Sequence, residues 1–207
     1  MNILPVTLEG SYVRLEPLSM SHRSTLCQAL ADGALWLSDV TLIPEPDAID
    51  AWLNEAFTAR EQGGELPFAI VWKSTGEVVG TSRYDHIDVR HRKLEIGRTW
   101  IGESWQRTAV NSEAKYLLLR HAFEELKCLR IQFVTDVANE KSFHALTRIG
   151  ARVEGILRNH MIMRGGRRRD SYILSIIDSE WPDVQAVFRH MQKKYQVKSE
   201  DFGVIEH

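Results

Sequence analysis

The fold is decided by the stretch from Leu94 to Gly155, which reads LEIGRTWIGESWQRTAVNSEAKYLLLRHAFEELKCLRIQFVTDVANEKSFHALTRIGARVEG. This pattern predicts a strand, a short polar loop, a long amphipathic helix, a second strand, and then Asn139-Glu-Lys-Ser142 opening another helix. A loop that leads into a helix start offers free backbone N–H groups and the positive end of the helix dipole to an anion. The stretch therefore predicts an anion site that suits a pyrophosphate.

The composition is that of a soluble globular protein. The chain has 207 residues, of which 43% are apolar and 26% are charged, so we expect one well-buried domain over residues 1–207. The net charge of −2 predicts no general attraction to nucleic acid or to an anionic membrane. No run of about 18 apolar residues occurs, and the start is not typical of a secretory signal, so a cytoplasmic protein is expected. No histidine or cysteine pair has metal-ligand spacing, so no metal site is expected.

Patterns outside this stretch predict the remaining elements. Residues 12–18 alternate as a half-buried strand, and two helices are expected over 21–34 and from Asp47 to 62. A hairpin is expected from strands 67–72 and 77–81. The later elements are helix 111–126, strand 131–137, helix 142–149, strands 153–163 and 171–177, and a helix from Pro182 to about 195. The order predicts a mixed α/β domain with a largely antiparallel sheet, a core over about 8–195 and a loose tail over 196–207.

These residues resemble the GNAT acyltransferase superfamily and, within it, the RimJ/RimL-type branch of ribosomal-protein-alanine N-acetyltransferases. The resemblance covers nearly the whole chain, from Leu8 to Trp181. It is carried by Glu95-Ile-Gly97, Gln106-Arg-Thr-Ala-Val-Asn111, Glu113-Ala-Lys115, Asn139-x-x-Ser142 with Gly150, and Arg169-Asp170. It implies a central sheet flanked by helices in which two neighbouring strands splay apart. It also implies acetyl-CoA as the donor, a primary amine as the acceptor and a homodimer as a common assembly.

The resemblance assigns roles to particular residues. The backbone of Trp100 and Ile101 would bind the pantetheine, Asn139 would hold the pantetheine arm, and Ser142 would lie close to the thiol. The acceptor pocket would include Trp36 and Tyr84. The pyrophosphate would be wrapped by Gln106, Arg107, Thr108, Ala109, Val110, Asn111 and Ser112.

Three positions depart from the family pattern. Ala109 and Asn111 stand where the family commonly has glycine, which lets backbone approach a phosphate closely and tolerates positive φ. Alanine adds only a methyl group, and asparagine tolerates left-handed geometry, so the loop is expected to bind. Leu146 stands where many members have a tyrosine that protonates the leaving thiolate. Leucine cannot do so, which leaves Ser142 or water for that role.

Each site residue also has a structural interpretation. The loop at 106–112 could be only a capped helix start with Asn111 as the N-cap, and Asn139 and Ser142 could serve only α-helix capping. Glu95 could be a general base with a raised pKa, or a carboxylate that orients neighbouring groups, with solvent as the base. The arginine-rich turn 164–169 is either a solvated turn or a border of the acceptor site that attracts an acidic substrate or a CoA phosphate.

Three functions remain open at the level of sequence. The first is an N-acetyltransferase in which a primary amine, either a protein N-terminus or a small molecule, attacks acetyl-CoA directly, with Glu95 and Ser142 as candidate catalytic residues. The second is a non-catalytic acyl-CoA-binding module, which Leu146 and the altered loop favour. The third is a nucleotide binder, which the absence of a glycine-rich dinucleotide motif and of a Gly-Lys-Ser/Thr loop disfavours.

Overall fold

The structure, a computed structural model, describes residues 1–201, with side chains as far as Lys193. Five α-helices are present, at α1 Arg23–Ala31, α2 Ile49–Glu61, α3 Ala109–Arg120, α4 Glu140–Arg148 and α5 Trp181–Asp201. Eight strands form one sheet, at β1 Leu8–Glu9, β2 Val13–Pro17, β3 Leu66–Trp72, β4 Val78–Asp88, β5 Lys93–Ile101, β6 Arg130–Asp136, β7 Arg152–Ile162 and β8 Arg168–Ile177. The mixed α/β prediction is confirmed.

The sheet is antiparallel except at one junction. Its strand order is β1-β2-β3-β4-β5-β6-β8-β7, and the parallel neighbours are β5 and β6. Parallel neighbours need a crossover connection, which is supplied here by α3. The crossover places the N-terminus of α3 directly after the end of β5, where a ligand in the sheet can reach it.

The two parallel strands separate after three residue pairs. Lys93, Leu94 and Glu95 of β5 pair with Arg130, Ile131 and Gln132 of β6, and the pairing then stops within the described part of the chain. Beyond that point β5 pairs only with β4, and β6 only with β8. Each strand therefore presents one unpaired backbone edge to a gap between them, as the predicted splayed sheet requires.

Two apolar cores lie on opposite faces of the sheet. Ile96 and Ile101 of β5 belong to the first core, which also contains Leu118 of α3 and Phe188 of α5. Trp100 belongs to the second core, with residues of α1 and α2. Side chains along β5 thus alternate between the two faces. Full burial of a Val, Leu, Ile, Phe or Met side chain in such a core contributes about 1.5–3 kcal/mol to stability.

Several observed elements differ from the predicted ones: β4 extends to Asp88 where 77–81 was expected, and α1 spans Arg23–Ala31 where 21–34 was expected. The short strand β1 was not predicted. Helix α3 begins at Ala109 and passes into a π-helical turn at His121–Glu125, where one continuous helix was expected from 111 to 126. Helix α5 reaches Asp201, so the predicted loose tail begins no earlier than residue 202, and residues 202–207 lie outside the described residues.

Candidate donor and acceptor sites

The loop before α3 is organised by a threonine. Thr108 is the N-cap of α3: its Oγ1 accepts the N–H of Val110 at 3.3 Å and donates to the carbonyl of Trp105 at 2.6 Å. The alternative with Asn111 as the N-cap is therefore wrong, because Asn111 lies inside the first helical turn. Gln106 and Arg107 are exposed beside this turn. A helix leaves the N–H groups of its first turn without intrahelical acceptors, so this end of α3 favours an anion.

The residues that replace glycine create no backbone strain. Ala109 and Asn111 both lie in α3, and the left-handed residue in this loop is Arg107, with φ of 61°. Neither Ala109 nor Asn111 therefore has the positive φ at which glycine would be favoured. Ala109 is buried and Asn111 half-buried, so the loop keeps the backbone path that phosphate binding needs.

The open edge of β5 meets this loop. Trp100 pairs with Thr81 and Ile101 with Gly80, so β4 occupies one side of each residue. The carbonyl of Ile101 accepts the side-chain amide of Gln106 at 3.1 Å. This hydrogen bond ties the predicted phosphate loop to the predicted pantetheine strand. A binding role for these backbone groups remains a prediction.

The start of α4 is capped by Asn139. Its Oδ1 accepts the backbone N–H of Ser142 at 3.0 Å, and its Nδ2 donates to Thr41 Oγ1 at 3.3 Å. Both ends of this amide thus have protein partners, which supports the capping interpretation of Asn139. Ser142 lies at the third position of the helix and is half-buried.

A cavity that is open to solvent lies between α3 and α4. The first turn of α3 and the C-terminal half of α4 both contribute to its wall. Its lining residues are Asn111, Ser112, Lys115, Ala145, Leu146, Arg148 and Ile149. The structure therefore brings the end of the predicted phosphate loop together with Leu146, the position at which the family has a tyrosine.

Glu95 lies at the point where β5 and β6 separate. It belongs to the last residue pair, and its Oε2 accepts Gln132 Nε2 at 3.2 Å from the opposite strand. Burial raises the pKa of this carboxyl group above its ordinary value, while the Gln132 hydrogen bond and nearby His86 lower it to a smaller extent. A side chain at Gly97 would come within 2.9 Å of Glu95 Oε1, so glycine leaves room for the carboxylate. A raised pKa suits a general base.

The two residues predicted to line the acceptor pocket differ in burial: Tyr84 is fully buried and Trp36 is half-buried. Tyr84 has no exposed surface, and its hydroxyl donates to the carbonyl of Leu118 at 2.6 Å. Its ring packs edge-on against Phe68 and stacks on His121. The prediction that Tyr84 lines an acceptor pocket is wrong, because the side chain is enclosed in the first core. Trp36 is half-buried against the second core, and its role remains a prediction.

The arginine-rich turn holds the loop between α1 and α2. Arg164 donates to the carbonyls of Trp36 and Ile43, and Arg167 donates to the carbonyl of Asp39 and pairs with Asp136. The turn is therefore more than a solvated connection. It fixes the loop that contains Trp36 beside the end of β6.

Two residues of the site were missed by sequence reasoning. Gln132 is the hydrogen-bond partner of Glu95, and Lys115 lines the cavity with its Nζ donating to Thr99 Oγ1 at 2.8 Å. A signal for Lys115 was present, since it lies three residues before Leu118 and four before Leu119, both of which are buried. A charged residue on a buried helix face is uncommon unless it is paired or functional.

Among residues 1–201, no helix is long and apolar enough to cross a membrane. No group of three or more potential metal-ligating side chains was found in the part of the chain that the structure describes.

Comparison with known proteins identifies the family. The acetyltransferase (GNAT) domain profile matches residues 13–152. The uncharacterised N-acetyltransferase p20 of Bacillus licheniformis is 31% identical over 177 residues, which cover 84% of this chain and 98% of p20. The structure of a GCN5-related N-acetyltransferase from Brucella melitensis is 30% identical, with a TM-score of 0.80 over 91% of this chain and 86% of that one.

More distant structures share the fold. Mycobacterium smegmatis RimJ in complex with CoA-disulfide is 22% identical, with a TM-score of 0.75 over 86% of this chain and 90% of RimJ. RimL, described as a ribosomal L7/L12 alpha-N-protein acetyltransferase, is 18% identical, with a TM-score of 0.75 over 84% of this chain and 96% of RimL. With the profile match and the relative p20, the chain belongs to the GNAT family and is an acetyl-CoA-dependent N-acetyltransferase.

Proposed function

We propose that this enzyme transfers an acetyl group from acetyl-CoA to the α-amino group at the N-terminus of a protein. The observation that carries the proposal is the position of Glu95, a buried carboxylate with a raised pKa at the closed end of the gap between β5 and β6. The cavity that contains Lys115 lies beside this gap and adjoins the first turn of α3. A donor bound along this gap would have its phosphates at α3 and its thioester towards Glu95.

The donor half of the site is argued from backbone groups. The first turn of α3 favours the pyrophosphate, and the unpaired edge of β5 offers N–H and C=O groups to the pantetheine amides. A backbone N–H of β5 near Trp100 can polarise the thioester carbonyl, because charge develops on that oxygen during attack. Ser142 stays a candidate for contact with the thiol.

The acceptor must be neutral when it attacks. An α-amino group has a pKa of about 7.7–8.0 and a lysine side chain about 10.4, so at neutral pH the α-amine is neutral several hundred times more often. Glu95 is a weak base even with its raised pKa, and it can accept the N–H proton that the amine nitrogen loses once the new bond has made that nitrogen cationic. An α-amine is therefore the acceptor that this carboxylate serves best. RimL shares the fold of this chain and is described as an alpha-N-protein acetyltransferase, which supports an α-amine as the acceptor.

A pair of peptides tests the acceptor. One carries a free N-terminus and no lysine, and the other has the same sequence with a blocked N-terminus and one added lysine. CoA release is measured for both, after acetyl-CoA at a hundredfold excess over Kd has been shown to stabilise the protein by about 2.7 kcal/mol. Turnover of the free N-terminus alone supports the proposal. Turnover of the lysine peptide or of small amines alone would overturn the acceptor assignment while leaving the donor site intact.

The position of the pyrophosphate predicts the effect of Asn111→Asp. A carboxylate in the first turn of α3 would repel the phosphates, and at roughly 5 Å in a partly screened site the repulsion is about 1–3 kcal/mol. We expect the Kd for acetyl-CoA to rise by about tenfold or more, measured by titration calorimetry. The free energy of unfolding should not fall, because aspartate is favourable near a helix N-terminus.

The matched control is Asn111→Ala, which removes the same amide without adding charge. A larger loss of affinity in the aspartate variant than in the alanine variant assigns the effect to charge. If Asn111→Asp and the unaltered enzyme bind acetyl-CoA with equal affinity, the pyrophosphate does not bind at this end of α3.

The homodimer that the resemblance implies remains a prediction.

A further inference from the structure

The cavity between α3 and α4 contains an amine that the roles described above do not use. Lys115 is only 8% exposed, although lysine is among the residues least often buried. Its Nζ donates to Thr99 Oγ1 at 2.8 Å, and Thr99 in turn contacts Ser82 Oγ at 2.7 Å. The chain of contacts therefore runs from α3 across β5 to β4, beside the gap where β6 has already separated.

The charge of this amine is not neutralised. Both members of its hydrogen-bond chain are neutral hydroxyls, and burial is the one cause found for the change in its pKa, which falls to about 8. No carboxylate in the described part of the chain therefore compensates it. An unpaired buried ammonium is costly, so its presence in a ligand cavity favours a role towards a negatively charged group.

The other residues of the cavity do not offer the same chemistry. Asn111, Ser112 and Leu146 do not titrate near neutral pH, and Arg148 is the other charged residue that lines the cavity. Arginine stays protonated in proteins and is a poor proton donor. Lys115 is thus the residue of this wall that can both attract an anion and give up a proton at neutral pH.

Lys115 and Glu95 approach the gap from opposite faces of the sheet. Thr99 and Ile96 lie on the face of the first core, where α3 packs, while Trp100 and Glu95 lie on the other face. A thioester held along β5 between Glu95 and Thr99 would have the carboxylate on one side and the ammonium on the other. The amine adds to the thioester carbonyl and the sulfur leaves when the tetrahedral adduct collapses, so a base beside the nitrogen and a proton donor beside the sulfur can act in turn.

We propose that Lys115 is a further catalytic residue, which protonates the CoA thiolate as it leaves. The proposal rests on the donor site described under the proposed function. The amine nitrogen forms a bond to the acetyl carbon, the carbon–sulfur bond breaks, and its electron pair goes to sulfur. Lys115 transfers one proton to that sulfur and becomes a neutral amine, while Glu95 accepts the proton lost by the acceptor nitrogen. Lys115 regains a proton from solvent, and Glu95 releases one.

The first test uses free CoA and needs no acceptor. An ammonium beside the thiol stabilises its thiolate, so the pKa of the bound CoA thiol should be lower in the unaltered enzyme than in Lys115→Met. The thiolate is followed by ultraviolet absorbance during a pH titration, with Lys193→Met, an exposed helical lysine, as the control. An equal thiol pKa in all three proteins would overturn the proposal for Lys115 alone. Failure of CoA to bind at all would overturn the donor site and this proposal with it.

The second test separates proton transfer from charge. Lys115→Met is expected to lower kcat by about a hundredfold, and Lys115→Arg should be equally slow, because arginine keeps the charge but does not release the proton. The kcat of the unaltered enzyme should fall above about pH 8, where Lys115 loses its proton, and this limb should be missing in Lys115→Met. Two results would overturn proton donation by Lys115. The first is a normal kcat in Lys115→Arg, and the second is a change in the Kd for acetyl-CoA alone in Lys115→Met. Comparable thermal stability of the variants excludes misfolding as the cause.

Discussion

Replacement of Glu113 by alanine is expected to lower the free energy of unfolding by about 3–5 kcal/mol, because three backbone N–H groups would lose one buried, charged acceptor. The carboxylate of Glu113 is 5% exposed and accepts the backbone N–H groups of Ser11, Tyr12 and Val13 at 2.7 Å each. These residues form the turn between β1 and β2 and the start of β2. One helical side chain thus holds the N-terminal hairpin against α3.

The change is measured by urea and thermal unfolding. A domain of this size loses about 2–4 °C of Tm per kcal/mol, so we expect a decrease of roughly 10 °C. Glu125→Ala, which removes an exposed glutamate beyond the same helix, should change Tm by less than about 2 °C. Glu113→Gln should fall between the two, because it keeps one oxygen acceptor without the charge. A loss in Glu113→Ala no larger than in the control would show that the hairpin does not depend on this carboxylate.

Replacement of Glu95 by glutamine is expected to lower kcat by about a hundredfold and to leave the Kd for acetyl-CoA nearly unchanged. Glutamine keeps the size of the side chain and a hydrogen bond with Gln132 but cannot accept a proton. General bases of this kind contribute about 10²–10⁴-fold to the rate. The exposed Glu61→Gln serves as the control for loss of one negative charge.

The pH profile decides whether Glu95 acts as a base. Because burial raises the pKa of this carboxyl group, the unaltered enzyme should lose kcat as pH falls through that raised pKa, where Glu95 becomes protonated. Glu95→Gln should lack this acidic limb. A profile of unchanged shape, or full activity in the variant, would assign Glu95 to structure and leave solvent as the base.

The elements with strong periodicity were predictable because their patterns span many residues. The alternation of β2 and the apolar face of α3 were both clear in the sequence, and such patterns led to the mixed α/β fold class, which is confirmed. The two-residue strand β1 was not predictable, since it pairs only through Leu8 and Glu9, and its hairpin is held by Glu113, a residue far along the chain. Sequence patterns carry local information, and a contact over a hundred residues is not local.

The candidate site was predictable only in part. Motif spacing placed the loop before α3 and the start of α4, whereas the cavity is lined by the first turn of α3 and the C-terminal half of α4. The N-cap was assigned to Asn111, although Thr108 could serve equally well by side-chain chemistry, because the helix begins two residues earlier than its apolar pattern. Tyr84 was assigned to a pocket by the family resemblance, although an aromatic side chain suits either a pocket or a core. Its burial depends on the packing of Phe68 and His121, which sequence does not reveal.

The separation of β5 from β6 has a consequence for how this enzyme tolerates mutation. The gap works as an edge inside the sheet, where a linear ligand with amide groups can bind in the manner of an added strand. Main-chain groups are the same whatever the side chains, so donor recognition can persist while the lining residues change. A protein of known structure that is only 30% identical, the GCN5-related N-acetyltransferase from Brucella melitensis, can therefore share this fold. If Trp36 lines the acceptor pocket as predicted, acceptor choice would depend instead on side chains of the loop that Arg164 and Arg167 hold, and it would be free to diverge between relatives.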